Sequence, residues 1–259
     1  MADVHPSAVI EPGAQLGAGV RLGPFCVVGP EVVLHDGVEL KSHVVVTGQT
    51  EIGAGTVVFP FAVLGEIPQD LKFAGEKTRL VIGRRNRIRE HVTMNTGTAH
   101  GGGVTRVGDD GLFMAGCHIA HDVTVGDRVI VVNSSAIAGH CVLEDDVILG
   151  GLSGVHQWVR IGQGAIIGAC TMVGHDVIPH ALVHGARGEI EGLNLVGLKR
   201  RGVAREEIAA LRDALEVLRE GEGAFAGRVA GLAETPSPLV REIVDFVMAP
   251  SHRQFLTPR

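Results

Sequence analysis

The sequence predicts a mainly β fold, a parallel β-helix over residues 1–190 followed by a small α-helical domain over 191–259, and three observations carry that prediction. Apolar residues recur at every sixth position through most of the first 173 residues. Aromatic residues make up only 3% of the 259-residue chain while glycine numbers 37, so the core must be built from many small layers of Val, Ile, Leu and Ala. Near Glu191 the sixfold period gives way to helical spacing.

The first run of anchors extends from Val4 through Ile10, Leu16, Leu22, Val28, Leu34, Leu40, Val46, Ile52 and Val58 to Leu64. Ile82, Ile88 and Met94 continue it, and a third run goes from Val107 through Phe113 and Ile119 to Val173. A period of six is neither the 3.6 of a helix nor the 2 of a half-buried strand. It is the hexapeptide repeat of a β-helix, with one short strand per hexad and three hexads, 18 residues, closing a turn. Glycines directly after the anchors (Gly17, Gly23, Gly53, Gly108, Gly126) are expected to relieve the backbone at the corners.

Two segments break the count and read as loops thrown out from the coil. Residues 66–80 place Asp70 and Glu76 where anchors belong, and residues 96–106 contain Gly101-Gly102-Gly103, after which the phase shifts by one. Beyond Pro179 the repeat fades. Ile208, Leu211, Leu215 and Leu218 then mark one helical face, and Phe225, Val229 and Leu232 a second. Ser237-Pro238 offers an N-cap and first-turn proline for a last helix carrying Leu239, Ile243 and Phe246.

Residues 18 apart should stack on one edge of the prism. That places His121, Gly139 and Gln157 in one column, Asp122, His140 and Trp158 in the next, and Ala120, Ala138 and His156 in the one before. His121, His140 and His156 therefore lie within one position of a single edge in three consecutive layers, with His118 close by. An imidazole near neutral pKa suits a general base, and Asp122 would orient His121 if the backbone turns there. Gly139 could offer a bare N–H to a developing oxyanion. Convergent imidazoles also suit zinc, which leaves a metal site as a rival, as in a trimeric β-helical zinc carbonic anhydrase. A non-catalytic solenoid scaffold would need neither the histidines nor the charged loops.

The formal charge of −6 argues against a nucleic-acid partner. No uninterrupted apolar stretch of about 18 residues predicts a membrane span, and the first residues show no secretory signal. Cys26, Cys117, Cys141 and Cys170 form no CxxC pair. A cytoplasmic protein is expected. Lys199-Arg200-Arg201 and Arg205 gather basic charge where the helices begin, suited to phosphate or an acidic partner. No Walker A sequence or GxSxG elbow is present.

Several segments together resemble the UDP-N-acetylglucosamine O-acyltransferases of lipid A synthesis. They are Gly23-Pro24-Phe25-Cys26, Gln69-Asp70-Leu71-Lys72, Ala120-His121-Asp122, Ala138-Gly139-His140, Val155-His156-Gln157 and Gly197-Leu198-Lys199-Arg200-Arg201-Gly202. The resemblance implies a left-handed coil, although the general crossover rule would favour the right-handed form. It implies a homotrimer with sites between subunits and no cofactor or metal. The implied reaction moves a fatty acyl group, expected as 3-hydroxyacyl, from acyl carrier protein to the sugar 3-hydroxyl of UDP-N-acetylglucosamine. His121 would be the base and Gly139 an oxyanion donor. Asp70, Lys72, His118, His140, His156, Gln157, Asn194, Arg200 and Arg201 would bind substrate. Ala169 would measure acyl length, with Arg187 expected 18 residues on in the next layer of its column. Val196 stands where some members carry an acidic residue. A related N-acyltransferase would carry a further domain before the repeat, whereas hexads here start at Val4.

Overall fold

The computed structural model describes residues 1–258. Its short strands, most of two residues, form three sheets of 11, 9 and 8 strands, parallel except for one closing hairpin, that are the faces of one left-handed coil. The first face begins with Asp3–Val4 and Arg21–Leu22, the second with Val9–Ile10 and Val27–Val28, and the third with Gln15–Leu16 and Val33–Leu34. Register follows the 18-residue turn, Val4 against Leu22 and Ile10 against Val28. The anchors fill the prism: Leu34, Leu40, Ile52, Ile88, Phe113, Ile119 and Ile137 are all buried. Each such side chain contributes about 1.5–3 kcal/mol relative to exposure. Val4, Ile10 and Leu16 are only half-buried, because no coil lies beneath them.

The corners differ from expectation in an instructive way. Gly23 and Gly126 do not supply positive φ; a Cβ there would lie 2.9 Å from Lys41 and 2.5 Å from the Asp145 carboxylate. These glycines permit close stacking between layers. The left-handed corner positions fall two residues later; glycine holds some of them (Gly19, Gly55, Gly164), and among the described residues 15 non-glycine residues, including Phe25, Asp122, His140 and Trp158, hold others at φ of 54–68°. Bonds to the adjacent layer hold a conformation that side chains ordinarily avoid: the His140 and Trp158 N–H groups donate to backbone carbonyls, and those of Phe25 and Asp122 to the hydroxyls of Ser7 and Thr105.

Both loops are present, slightly shorter than expected. Across the first, paired residues are 30 apart (Val57 and Arg87) instead of 18; across the second they are 25 apart (Arg87 and Leu112). The first leaves Val63–Glu66 and re-enters at Arg79–Ile82; the second leaves Thr93–Asn95 and re-enters at Val104–Val107. Each departs from the second face and returns on the third, which is the edge that carries His121.

The final turn is tighter. Ile166 pairs with Leu182 and Ile167 with Val183, 16 apart, and Ala181–His184 then forms an antiparallel hairpin with Glu189–Leu193. Sheet structure thus continues to Leu193, past the expected boundary at 190. Four helices follow: α1 (Leu195–Arg200), α2 (Arg205–Glu220), α3 (Phe225–Ala230) and α4 (Pro238–Met248). Ser237 caps α4 by accepting from the Val240 N–H, and α2 buries Ile208, Leu211, Leu215 and Leu218. The tail returns to the coil, where Asp176 bridges to Phe255.

Candidate active site

The stacking predicted from spacing is observed. The His140 N–H donates to the His121 carbonyl at 3.1 Å, and the Trp158 N–H to the Gly139 carbonyl at 3.2 Å. His121 is 5% exposed. Asp122, next in sequence, would point away from it in a regular strand. Its φ of 60° turns the backbone, and its Oδ2 lies 2.9 Å from His121 Nδ1. A carboxylate only accepts, so Nδ1 carries the proton and Nε2 presents a lone pair. Gly139 lies against that ring: a Cβ there would overlap the imidazole, and its own N–H meets no acceptor among the described residues.

Asp122 is more deeply held than spacing could reveal. Its N–H donates to Thr105 Oγ1 at 2.8 Å. Its Oδ1 accepts from the Thr98 N–H at 2.8 Å and its Oδ2 from the Thr98 hydroxyl at 2.6 Å. His140 Nδ1 stands 3.7 Å from the same Oδ2, and its ring meets His121 edge-on at 4.9 Å. Trp158 stacks on His140 at 3.9 Å, and His252 from the tail packs on Trp158 at 4.6 Å. His121, Asp122 and His140 together offer three potential metal-ligand atoms within 4.8 Å of one another.

A cavity of about 520 Å³ opens beside these groups, lined by Gln69, His118, His121, Gly139, His156 and Gln157 at its polar parts. Its apolar floor follows one register column of the second face, Ala136, Gly154 and Met172. Small side chains leave the groove open along the coils, and Met172 stands at its far end. His118 heads the column, with Nδ1 2.7 Å from Thr93 Oγ1. Burial holds the His118 imidazole below its ordinary pKa, helped by nearby His121. Burial also lowers His140, against the opposing pull of Asp122. The Cys117 and Cys141 thiols are pushed up to about 12 by burial, which makes them poor nucleophiles.

Other expected residues are distributed differently. Asp70 lies near enough to His140 to favour its charged form, while Lys72 is exposed. His156 lines the cavity and meets Arg253, whose Nη2 is 2.6 Å from Nδ1 and whose Nε donates to the Gln157 carbonyl at 2.9 Å. Asn194 caps α1 and donates to the Gly164 carbonyl at 3.0 Å. Arg201 sits 3.7 Å from Asp146 and 3.3 Å from His180 Nδ1, and Arg200 is exposed. Asp146, Gly164 and His180 belong to the edge between the third and first faces, so within one chain these residues are not brought to His121.

Ala169 occupies the turn between Ile166–Ile167 and Met172–Val173 and does not line the cavity. Arg187 is corrected: the 16-residue turn places Gly185 at the level expected for it, and Arg187 falls in the hairpin turn after His184. Spacing missed Thr98, Thr105, His252 and Arg253. Thr98 lies in an insertion that has no phase, and the tail residues arrive from nearly 100 positions away (Gln157 to Arg253).

A hexad coil that sets an imidazole–carboxylate pair beside an apolar groove is the architecture of a hexapeptide-repeat acyltransferase. Residues 13–48 match the bacterial transferase hexapeptide family and residues 176–255 the second domain of UDP-N-acetylglucosamine O-acyltransferase. An acyl-[acyl-carrier-protein]--UDP-N-acetylglucosamine O-acyltransferase of Paracoccus denitrificans is 68% identical over 203 residues, 78% of this chain and 77% of that one. One from Rhizobium johnstonii is 49% identical over 259 residues, covering 99% and 95%. The solved UDP-N-acetylglucosamine acyltransferase of Campylobacter jejuni superposes with a TM-score of 0.93 at 37% identity, over 99% of this chain and 100% of that one. The chain belongs to the UDP-N-acetylglucosamine O-acyltransferase family and is an enzyme of that family.

Proposed function

We propose that the chain transfers a 3-hydroxyacyl group from acyl carrier protein to the 3-hydroxyl of UDP-N-acetylglucosamine, with His121 as general base. The observation that carries this reading is the His121 ring itself, with Nδ1 on Asp122 and the opposite edge beside Gly139 at the groove. Nε2 takes the hydroxyl proton as the sugar oxygen attacks the thioester carbonyl carbon. Asp122 stabilises the resulting imidazolium, and the Gly139 N–H stabilises the oxyanion. Collapse expels the carrier thiolate, which receives the proton from His121. No covalent enzyme intermediate and no metal are required.

The groove over Ala136, Gly154 and Met172 receives the acyl chain, and Ala169, which lies outside the cavity of a single chain, sets its length where a neighbouring subunit closes the site. Asp70, Lys72, His118, His140, His156 and Gln157 bind the sugar nucleotide and thioester. Asn194, Arg200 and Arg201 complete the site from a neighbouring subunit of a homotrimer, consistent with their position on a different edge. The enzyme works in the cytoplasm; no helix among the described residues is long and apolar enough to cross a membrane. Purified protein incubated with UDP-N-acetylglucosamine and a panel of acyl carrier protein thioesters should yield a 3-O-acylated sugar nucleotide by mass, undiminished by EDTA. Loss of activity on chelation and its return with zinc would favour a metal held by His121, Asp122 and His140.

A further inference from the structure

The carboxylate that orients His121 is itself gripped by a loop from the coil below. Thr98 presents two donors to Asp122, its N–H to Oδ1 and its hydroxyl to Oδ2. The hydroxyl direction is set, because the same oxygen accepts from the Gly101 N–H at 3.2 Å. Gly97 and Gly101 let the loop close: a Cβ on Gly101 would overlap the Asp122 carboxylate. Thr98 is 3% exposed, so water does not substitute for it. Outside contacts tie the loop in place, Thr78 Oγ1 to Thr96 Oγ1 at 3.0 Å and the Ala99 N–H to Glu76 at 3.1 Å.

Two imidazoles compete for Asp122 Oδ2, His121 at 2.9 Å and His140 at 3.7 Å. A carboxylate free to rotate could serve either. Paired donors from one residue fix its plane in the orientation that favours His121. We propose that Thr98 is the positioning residue of the catalytic base, acting through Asp122 to hold His121 with Nδ1 protonated and Nε2 free. The proposal rests on the reading of His121 as base.

The test compares Thr98→Val, Thr98→Ser, Gly101→Ala and His121→Ala with the unmutated enzyme, with His100→Ala, an exposed change in the same loop, as control. Thr98→Val retains the shape and the backbone N–H and removes the hydroxyl, losing its donation to a charged group together with the weaker bond it accepts from the Gly101 N–H, so kcat should fall roughly 10- to 100-fold with both KM values nearly unchanged. Thr98→Ser should restore most of the loss, Gly101→Ala should reproduce it through the displaced carboxylate, and His100→Ala should be neutral. A downfield proton resonance from His121 Nδ1, absent in His121→Ala, should weaken or vanish in Thr98→Val while the melting transition stays cooperative. Normal kcat and an unchanged resonance in Thr98→Val would overturn the proposal. Full activity in His121→Ala would instead remove the base assignment, and the resonance would still report whether Thr98 positions the ring.

Discussion

The two ring nitrogens of His121 have separate tasks, and single atoms around them decide whether those tasks are met. Gly139 is the most restrictive of these neighbours, since any Cβ would enter the space of the imidazole. Gly139→Ala should leave the coil folded and lower kcat by at least about 10²-fold, through a displaced base; steady-state kinetics alongside a thermal melt measures both. Histidine protonation gives a second prediction. Burial lowers the folded pKa of His118 and His140, so the unfolded chain binds their protons more readily. Their contribution to stability is therefore present above the unfolded value of about 6.5 and is lost as pH falls below it. The melting temperature should decline from about pH 6.5 downward, and His118→Gln should make that decline shallower; an identical profile in the variant would contradict this. At this scale the 18-residue spacing made His121, Gly139 and His140 legible. Asp122 was ambiguous, because strand alternation turns it away and only a left-handed corner brings it back.

Among elements, the second face does most to define the site. Its outward column changes from His118 to Ala136 and Gly154, then closes at Met172. Each methylene buried in such a groove contributes ~0.8 kcal/mol, so filling depth should govern donor preference. Ala169→Met should shift the preferred donor to a shorter acyl chain while activity on that donor survives. Donors of different length competing in one reaction provide the measurement, and an unchanged preference would move the length determinant to Met172. The hexads themselves were plain because every layer repeats one requirement, an apolar anchor pointing inward. The last turn escaped that rule: its 16-residue span shifts the phase and removes Arg187 from the Ala169 column. Tight stacking at Gly23 and Gly126 was equally invisible, since sequence shows a missing Cβ but not which neighbour needs the space.

At the scale of the whole molecule, the expected functional residues divide between two edges of the prism. His118, His121, His140 and His156 face one, while Asn194 and Arg201 are held at another by Gly164, Asp146 and His180. A symmetric trimer would bring the second group of one subunit to the first group of its neighbour. Light scattering should then give three times the 27.1 kDa chain mass. Mixed assemblies of His121→Ala and Arg201→Ala chains should recover activity that neither variant has alone, because some interfaces combine two intact halves. Failure of every mixture to recover activity would place the complete site within one chain. The tail escaped sequence reading altogether: His252 and Arg253 reach the histidine edge only because the helical segment folds back along the coil.

The most direct measurement is turnover of His121→Ala with UDP-N-acetylglucosamine and the preferred acyl carrier protein thioester, on protein whose melt and assembly match the unmutated enzyme. Loss of the base should lower kcat by roughly 10²–10⁴-fold with substrate affinity retained. Near-normal turnover in that folded variant would contradict the account, since among the described residues no other group at the groove combines an oriented imidazole with a free Nε2 beside the Gly139 N–H.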